Sequence, residues 1–219
     1  MIKVDLISRS IHLMGSTITI SILHEKADSL LDQVFSLLRL YEKRFSANDD
    51  SSELMQINHA AGKHPVCVHP DLFELIELGK KHSLAPDSHL NITLGPLIQT
   101  WRIGFADAKV PSPEEIKQAL SLTDPECIEL DAIASSVFLT MEGMKIDLGA
   151  LAKGYIADKI AAFLRGQGVA SALINLGGNI LTIGLNEKNN RYWRIGIQNP
   201  SLPRGNNLAL LSVQNQSVV

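Results

Sequence analysis

The chemistry in this chain concentrates in one stretch, Asp147-Leu148-Gly149-Ala150-Leu151-Ala152-Lys153-Gly154-Tyr155. Asp147 falls where a strand-like run, Met144-Lys145-Ile146, gives way to a helical one. The first N–H groups of a helix have no partner inside the helix, and the aligned peptide dipoles make that end partly positive. Gly149 lets the turn tighten, and the small Ala150 and Ala152 let a ligand or another chain come close. Lys153 adds a full positive charge beside those free N–H groups. Together they suit a diphosphate. The same residues equally suit a plain helix start, with Asp147 as cap and Lys153 in solvent. The segment alone leaves both readings open.

A second glycine pair, Gly177-Gly178, lies between two strand-like runs and reads first as a hairpin turn. It does not complete a G-x-G-x-x-G pattern and no helix follows it, which argues against a dinucleotide-binding Rossmann domain.

The elements that must carry these residues alternate without a strict βαβ order. Ile18–Leu23 alternates as a half-buried strand, and Leu30, Leu31, Val34, Leu37, Leu38, Tyr41 and Phe45 recur at helical spacing over about 27–44. Ser46–Ser52 is a polar loop, followed by a short helix over 52–58. Asp71 can cap a helix running to about His82, with Leu72, Leu75, Ile76 and Leu78 inward. Ser112-Pro113-Glu114-Glu115 is a capping-box helix start. Strands are expected over 128–130, 137–141, 172–176, 179–183, 191–197 and 208–213, and a helix over 151–165. The mixture points to an α+β class with mixed or antiparallel sheets and packed helices, in one domain over 1–219.

Bulk composition excludes several partners. The net charge is −3, and no Lys/Arg run offers a footprint for nucleic acid. Cys67 and Cys127 form no CxxC, so a cysteine zinc site is not expected, and two lone cysteines fit a reducing compartment. Met1-Ile2-Lys3-Val4-Asp5 lacks a long apolar run, and no stretch approaches membrane-spanning length. The expected location is cytoplasmic, or a membrane-anchored lipoprotein where an N-terminal signal has been removed.

Several motifs occur in a fixed order: Met14-Gly15-Ser16-Thr17 leading into a strand; Ser46…Ser52-Glu53-Leu54…Ile57-Asn58; Asn91-Ile92-Thr93-Leu94-Gly95-Pro96-Leu97; Asp147–Tyr155 with Asp158; and Asn175-Leu176-Gly177-Gly178. As an ordered set over nearly the whole chain, this resembles the ApbE family of FAD:protein FMN transferases, which implies an ApbE-like (T-fold-like) α+β fold. The resemblance implies Mg²⁺-dependent transfer of FMN from FAD to a threonine hydroxyl of an acceptor protein, with release of AMP. It implies that Asp147 and Lys153 contact FAD, and that the Ala150 backbone carbonyl is a Mg²⁺ ligand, an oxygen donor suited to a hard cation. No catalytic base is identified.

By the same resemblance Met14 packs on the flavin, although composition alone favours a core methionine. Asn48 stands where family members carry Tyr or Asn; asparagine hydrogen-bonds where tyrosine would stack, which bears on the balance between transfer and hydrolysis. His89-Leu90-Asn91 departs from a small–apolar–aspartate pattern, and its bulk and its lost charge bear on the ring contact or on the electrostatics of the metal site. His89 itself, without an acidic partner, reads as a surface-loop histidine. The resemblance further expects a T-S-G and an H-x-I-x-D-P-x-T-G segment beyond Val219, supplying the side-chain Mg²⁺ ligands. The alternatives to transferase activity are therefore a non-catalytic FAD-binding module, or hydrolysis of FAD to FMN and AMP.

Overall fold

The computed structural model describes residues 5–186 and 190–219. In chain order the elements are β1 (Leu6–Leu13), β2 (Ser16–Leu23), α1 (Ala27–Phe45), α2 (Glu53–His59), β3 (Val66–Cys67), α3 (Pro70–Ser83), α4 (Gly95–Trp101), α5 (Pro113–Leu120), β4 (Ile128–Asp131), β5 (Ser136–Leu139), α6 (Gly149–Gly166), β6 (Ser171–Leu176), β7 (Asn179–Ile183), β8 (Trp193–Gln198), β9 (Asn207–Val213) and β10 (Ser217–Val218). The chain divides into two compact units, Met1–Leu40 with Lys153–Val219, and Tyr41–Ala152. No helix among the described residues is long and apolar enough to cross a membrane.

The first unit is organised by a five-stranded antiparallel sheet in the order β1-β2-β6-β7-β10. Ile18, Ile20 and Ile22 of β2 are fully buried, as are Ala172, Ile174 and Leu176 of β6. This is the period-2 burial that an apolar-in, polar-out strand dictates. Across β1 and β2, hydroxyls pair between Ser8 and Ser21 at 2.7 Å and between Ser10 and Thr19 at 2.8 Å. β1 is a strand that the apolar pattern does not announce, because Ser8-Arg9-Ser10 places three polar residues in succession on a sheet edge. Its Arg9 reaches Asp32 of α1 at 2.8 Å and lies over the Phe35 ring. A separate hairpin, β8–β9, contributes Trp193, Ile195 and Val213 to a small apolar cluster with Leu6, Leu173, Ile180 and Val218.

The second unit holds the antiparallel sheet β3-β5-β4 with α2 to α5. Ser52 caps α2 by accepting from the Met55 N–H at 3.0 Å. The α3 cap differs from the expected Asp71: Pro70 occupies the first turn, so the cap moves back to His69, whose Nδ1 accepts from the Asp71 N–H at 3.1 Å. Leu78 of that helix is exposed rather than inward. The Ser112–Glu115 capping box forms as the sequence indicates. Half-buried Arg44, near the end of α1, lies 3.8 Å from Glu53 and 3.5 Å from Asp71. Glu53 in turn accepts from the His69 N–H at 2.5 Å, so one carboxylate–guanidinium group ties together the ends of α1, α2 and α3.

The β6–β7 turn has Gly177 at φ +65 and Gly178 at φ +104, and a Cβ on Gly177 would lie 2.6 Å from the Ser16 Cβ. Both the backbone conformation and the space require glycine. Gly177→Ala is expected to lower unfolding stability by more than about 1 kcal/mol, measured by urea denaturation; an unchanged midpoint would contradict this turn geometry.

Candidate functional site

The residues before α6 form an extended segment with alternating burial. Met144, Ile146 and Leu148 are buried, while Lys145 and Asp147 are half-buried on the opposite side. The segment is not the strand the sequence suggests, because it joins no ladder. Its backbone groups are satisfied in other ways, as buried polar groups must be. The Asn58 side chain accepts from the Ile146 N–H at 2.8 Å and donates to the Ile146 carbonyl at 3.0 Å. The Asp147 N–H donates to the Ile92 carbonyl at 2.9 Å. Gly95 lies against Lys145 so closely that a Cβ would sit 2.7 Å from the Lys145 Cβ.

Ile92 is itself wedged in place. Its N–H donates to the Ser83 Oγ at 3.0 Å, and its side chain is 1% exposed. A Cβ on Gly79 of α3 would stand 2.8 Å from that side chain and 3.2 Å from Leu151.

At the start of α6 the Asp147 Oδ1 accepts from the Gly149 N–H at 2.8 Å. The cap reading is thus realised, and it leaves the first turn presented at the surface, with Gly149 and Ala150 exposed. Lys153 is half-buried one turn on. On the same side of the extended segment as Asp147, the Lys145 ammonium donates to the Gln99 side chain. It lines a cleft of about 620 Å³ together with Pro96, Arg102, Lys109 and Gly143.

Asn91 is brought to Asp147 through its neighbour Ile92. Its side chain is fully engaged: Oδ1 accepts from the Thr93 N–H at 2.8 Å and hydroxyl at 2.6 Å, and Nδ2 donates to the Thr123 carbonyl at 2.8 Å. The amide that replaces the expected aspartate therefore has a structural use, since a carboxylate has no hydrogen to give Thr123. Leu90 is half-buried and its N–H donates to the Ser88 Oγ at 3.1 Å, while His89 is exposed. Asn48 is an exposed turn residue whose N–H donates to the Ser46 Oγ at 3.2 Å. Beside it, hydrogen bonds from the Ser51 hydroxyl and backbone hold the Asp49 carboxyl below its ordinary value.

In the first unit, Met14 is not a core methionine. It is a half-buried turn residue at φ +51, paired with Gly15 at φ +67 in the two-residue β1–β2 turn. Because Ile18 pairs with Leu176, this turn and Gly177–Gly178 sit at the same end of the sheet. The Asn175 side chain accepts from the Gly178 N–H at 2.8 Å. A Cβ on Gly154 would meet the Asn179 Nδ2 at 3.7 Å, so the Lys153–Gly154 turn of α6 lies at that end too.

The Ala150 carbonyl that the resemblance gives to Mg²⁺ belongs to an exposed residue in the first turn of α6, and oxygen is the donor class that suits the ion. Among the described residues no group of three or more His, Cys, Asp or Glu side chains is gathered for a metal. Ala150 would hold the ion through its backbone carbonyl, together with oxygen donors other than such a side-chain group.

The geometry defines an α+β protein of antiparallel sheets, with an acid-capped helix start as its polar focus. The ApbE family model matches residues 14–219, and the chain belongs to the ApbE family. It is 43% identical over 212 residues to an FAD:protein FMN transferase of Klebsiella pneumoniae (strain 342), covering 97% of this chain and 65% of that protein. It is 37% identical over 201 residues to an FAD:protein FMN transferase of Treponema pallidum (strain Nichols), covering 86% and 56%. Among solved structures, the ApbE protein of Thermotoga maritima superposes with a TM-score of 0.87 at 23% identity, covering 97% of this chain and 69% of that one. The flavin transferase ApbE of Vibrio cholerae gives 0.82 at 24%, covering 90% and 65%. The chain thus spans about two thirds or less of the length of these curated relatives.

Asn58 and Asn175 hold the site segments and had no role assigned from sequence, although both lie inside the quoted motifs. The Asn91 geometry yields a test. Asn91→Asp keeps the Thr93 bonds, loses the one to Thr123 and sets two oxygens facing, so it is expected to cost about 1–3 kcal/mol in urea unfolding; a neutral substitution would contradict the amide orientation described.

Proposed function

We propose that this chain is the FAD-binding part of a Mg²⁺-dependent FAD:protein FMN transferase. The observation that carries the reading is the coincidence of ApbE family membership over 14–219 with an exposed, Asp147-capped helix start that holds Lys153 one turn in. The Ala150 N–H, the positive end of the helix dipole and the Lys153 ammonium recognise the FAD diphosphate by charge and hydrogen bonding. Within the second unit, the 89–91 segment contacts the isoalloxazine, and Asn48 hydrogen-bonds near it. The names of the relatives supply the substrate and the acceptor class.

In the transfer, a threonine hydroxyl of the acceptor protein attacks the FMN-side phosphorus of FAD. A new P–O bond forms, and the bond from that phosphorus to the bridging oxygen breaks. The electron pair stays on the bridging oxygen, which departs with AMP, and the hydroxyl proton passes to solvent or a base. Mg²⁺, when bound with the Ala150 carbonyl among its ligands, supplies charge neutralisation at the diphosphate. The chain's own residues hold the diphosphate still: Asp147 fixes the helix start, and Lys153 offsets the charge.

The full-length protein, mixed with FAD, Mg²⁺ and a threonine-containing acceptor peptide, is expected to yield a peptide carrying FMN by mass spectrometry. Asp147→Ala is expected to cut the rate by roughly tenfold or more, the equivalent of losing about 1.4 kcal/mol. AMP release without a flavinylated peptide would favour hydrolysis, and bound FAD with neither product would favour a binding module. Absence of FAD binding would overturn the reading.

A further inference from the structure

We propose that Asn58 is a positioning residue for FAD binding, setting the place of Asp147 through the backbone of Ile146. The inference rests on the reading that the Asp147 helix start holds FAD. Asn58 sits in α2, is 5% exposed, and lies 88 residues from its partner in sequence. Its amide reproduces what a neighbouring strand would offer: one acceptor for the Ile146 N–H and one donor for the Ile146 carbonyl. Ile146 is 0% exposed, so no water replaces these bonds without a movement of the segment.

The contacts on either side decide where that movement falls. Lys145 is held by Gly95 packing against it, and the Asp147 N–H is held by the Ile92 carbonyl. Both of those contacts trace to the 92–95 segment, so the Asn58 pair is the brace that comes from a different element. When it is lost, the Ile146 peptide groups turn towards water, and the residue displaced with them is Asp147. Its Oδ1 to Gly149 N–H bond sets the first turn of α6. A displacement of this kind weakens ligand binding far more than it weakens the fold, because binding depends on sub-ångström placement of several donors at once.

Asn58→Asp tests this with little change in size. At alkaline pH, where the carboxyl is ionised, it still accepts from the Ile146 N–H, but its second oxygen faces the Ile146 carbonyl with nothing to donate. In the full-length protein, the FAD dissociation constant is measured by flavin fluorescence well below each variant's Tm. Asp147→Ala and Leu75→Ala are run in parallel, the latter removing buried volume from α3 but no hydrogen bond of residue 146. The expected result is an FAD Kd raised roughly tenfold or more in Asn58→Asp and Asp147→Ala. Leu75→Ala is expected to lower Tm while leaving Kd within about twofold of wild type, a shift too small to mark a lost contact.

Wild-type affinity in Asn58→Asp alongside a loss in Asp147→Ala would overturn the positioning role and leave the FAD reading standing. Wild-type affinity in Asp147→Ala would overturn the FAD reading itself. An equal rise in Leu75→Ala would show a merely structural effect and overturn the proposal. Where Asn58→Asp does not fold, Asn58→Ser gives the same comparison under the same criteria.

Discussion

A buried extended segment that belongs to no sheet still has to satisfy its backbone polar groups, and residues 144–148 do so with a side chain. The Asn58 amide takes the place of a neighbouring strand at Ile146, and the Ile92 carbonyl takes the next N–H at Asp147. Much of the second unit serves these bonds. α2 carries Asn58, the Gly79 and Ser83 positions of α3 seat Ile92, and Gly95 allows the close approach of Lys145. Unpaired buried N–H and C=O groups cost about 1–3 kcal/mol each, so this arrangement holds Asp147 to one position.

The first unit reaches a comparable result with turns. Two tight hairpins, Met14–Gly15 and Gly177–Gly178, emerge side by side at one end of its sheet because β2 and β6 pair in a fixed register. Positive φ at all four positions keeps these turns short. Asn179 opens β7 beside Gly154, and the small residue there allows the approach. The strands behind this end bury isoleucine and leucine.

Much of this was legible from sequence because it depends on local rules. The β2 alternation, the α1 stripe, the Ser112–Glu115 capping box and the Gly-Gly turn all formed as spacing dictates. Of the two readings of Asp147 that the sequence left open, its bond from the Gly149 N–H realises the helix cap. Features set by distant partners were not legible. No local signal distinguishes a segment paired by Asn58 from a strand paired in a ladder, so 144–146 read as a strand. Nor does any local signal show that Asn91 owes its amide to the Thr123 carbonyl. Met14 read as core from composition, because its turn is defined by the pairing of β1, a polar edge strand that apolar periodicity does not reveal. The α3 cap moved to His69 for a local reason, the Pro70 that follows it.

The central claim is that the start of α6 seats the diphosphate of FAD. Crystallographic density for FAD bound to the full-length protein tests it most directly. The diphosphate is expected within hydrogen-bonding distance of the Ala150 N–H at the start of α6 and of the Lys153 ammonium. A diphosphate seated elsewhere, with the α6 start facing only solvent, would contradict it.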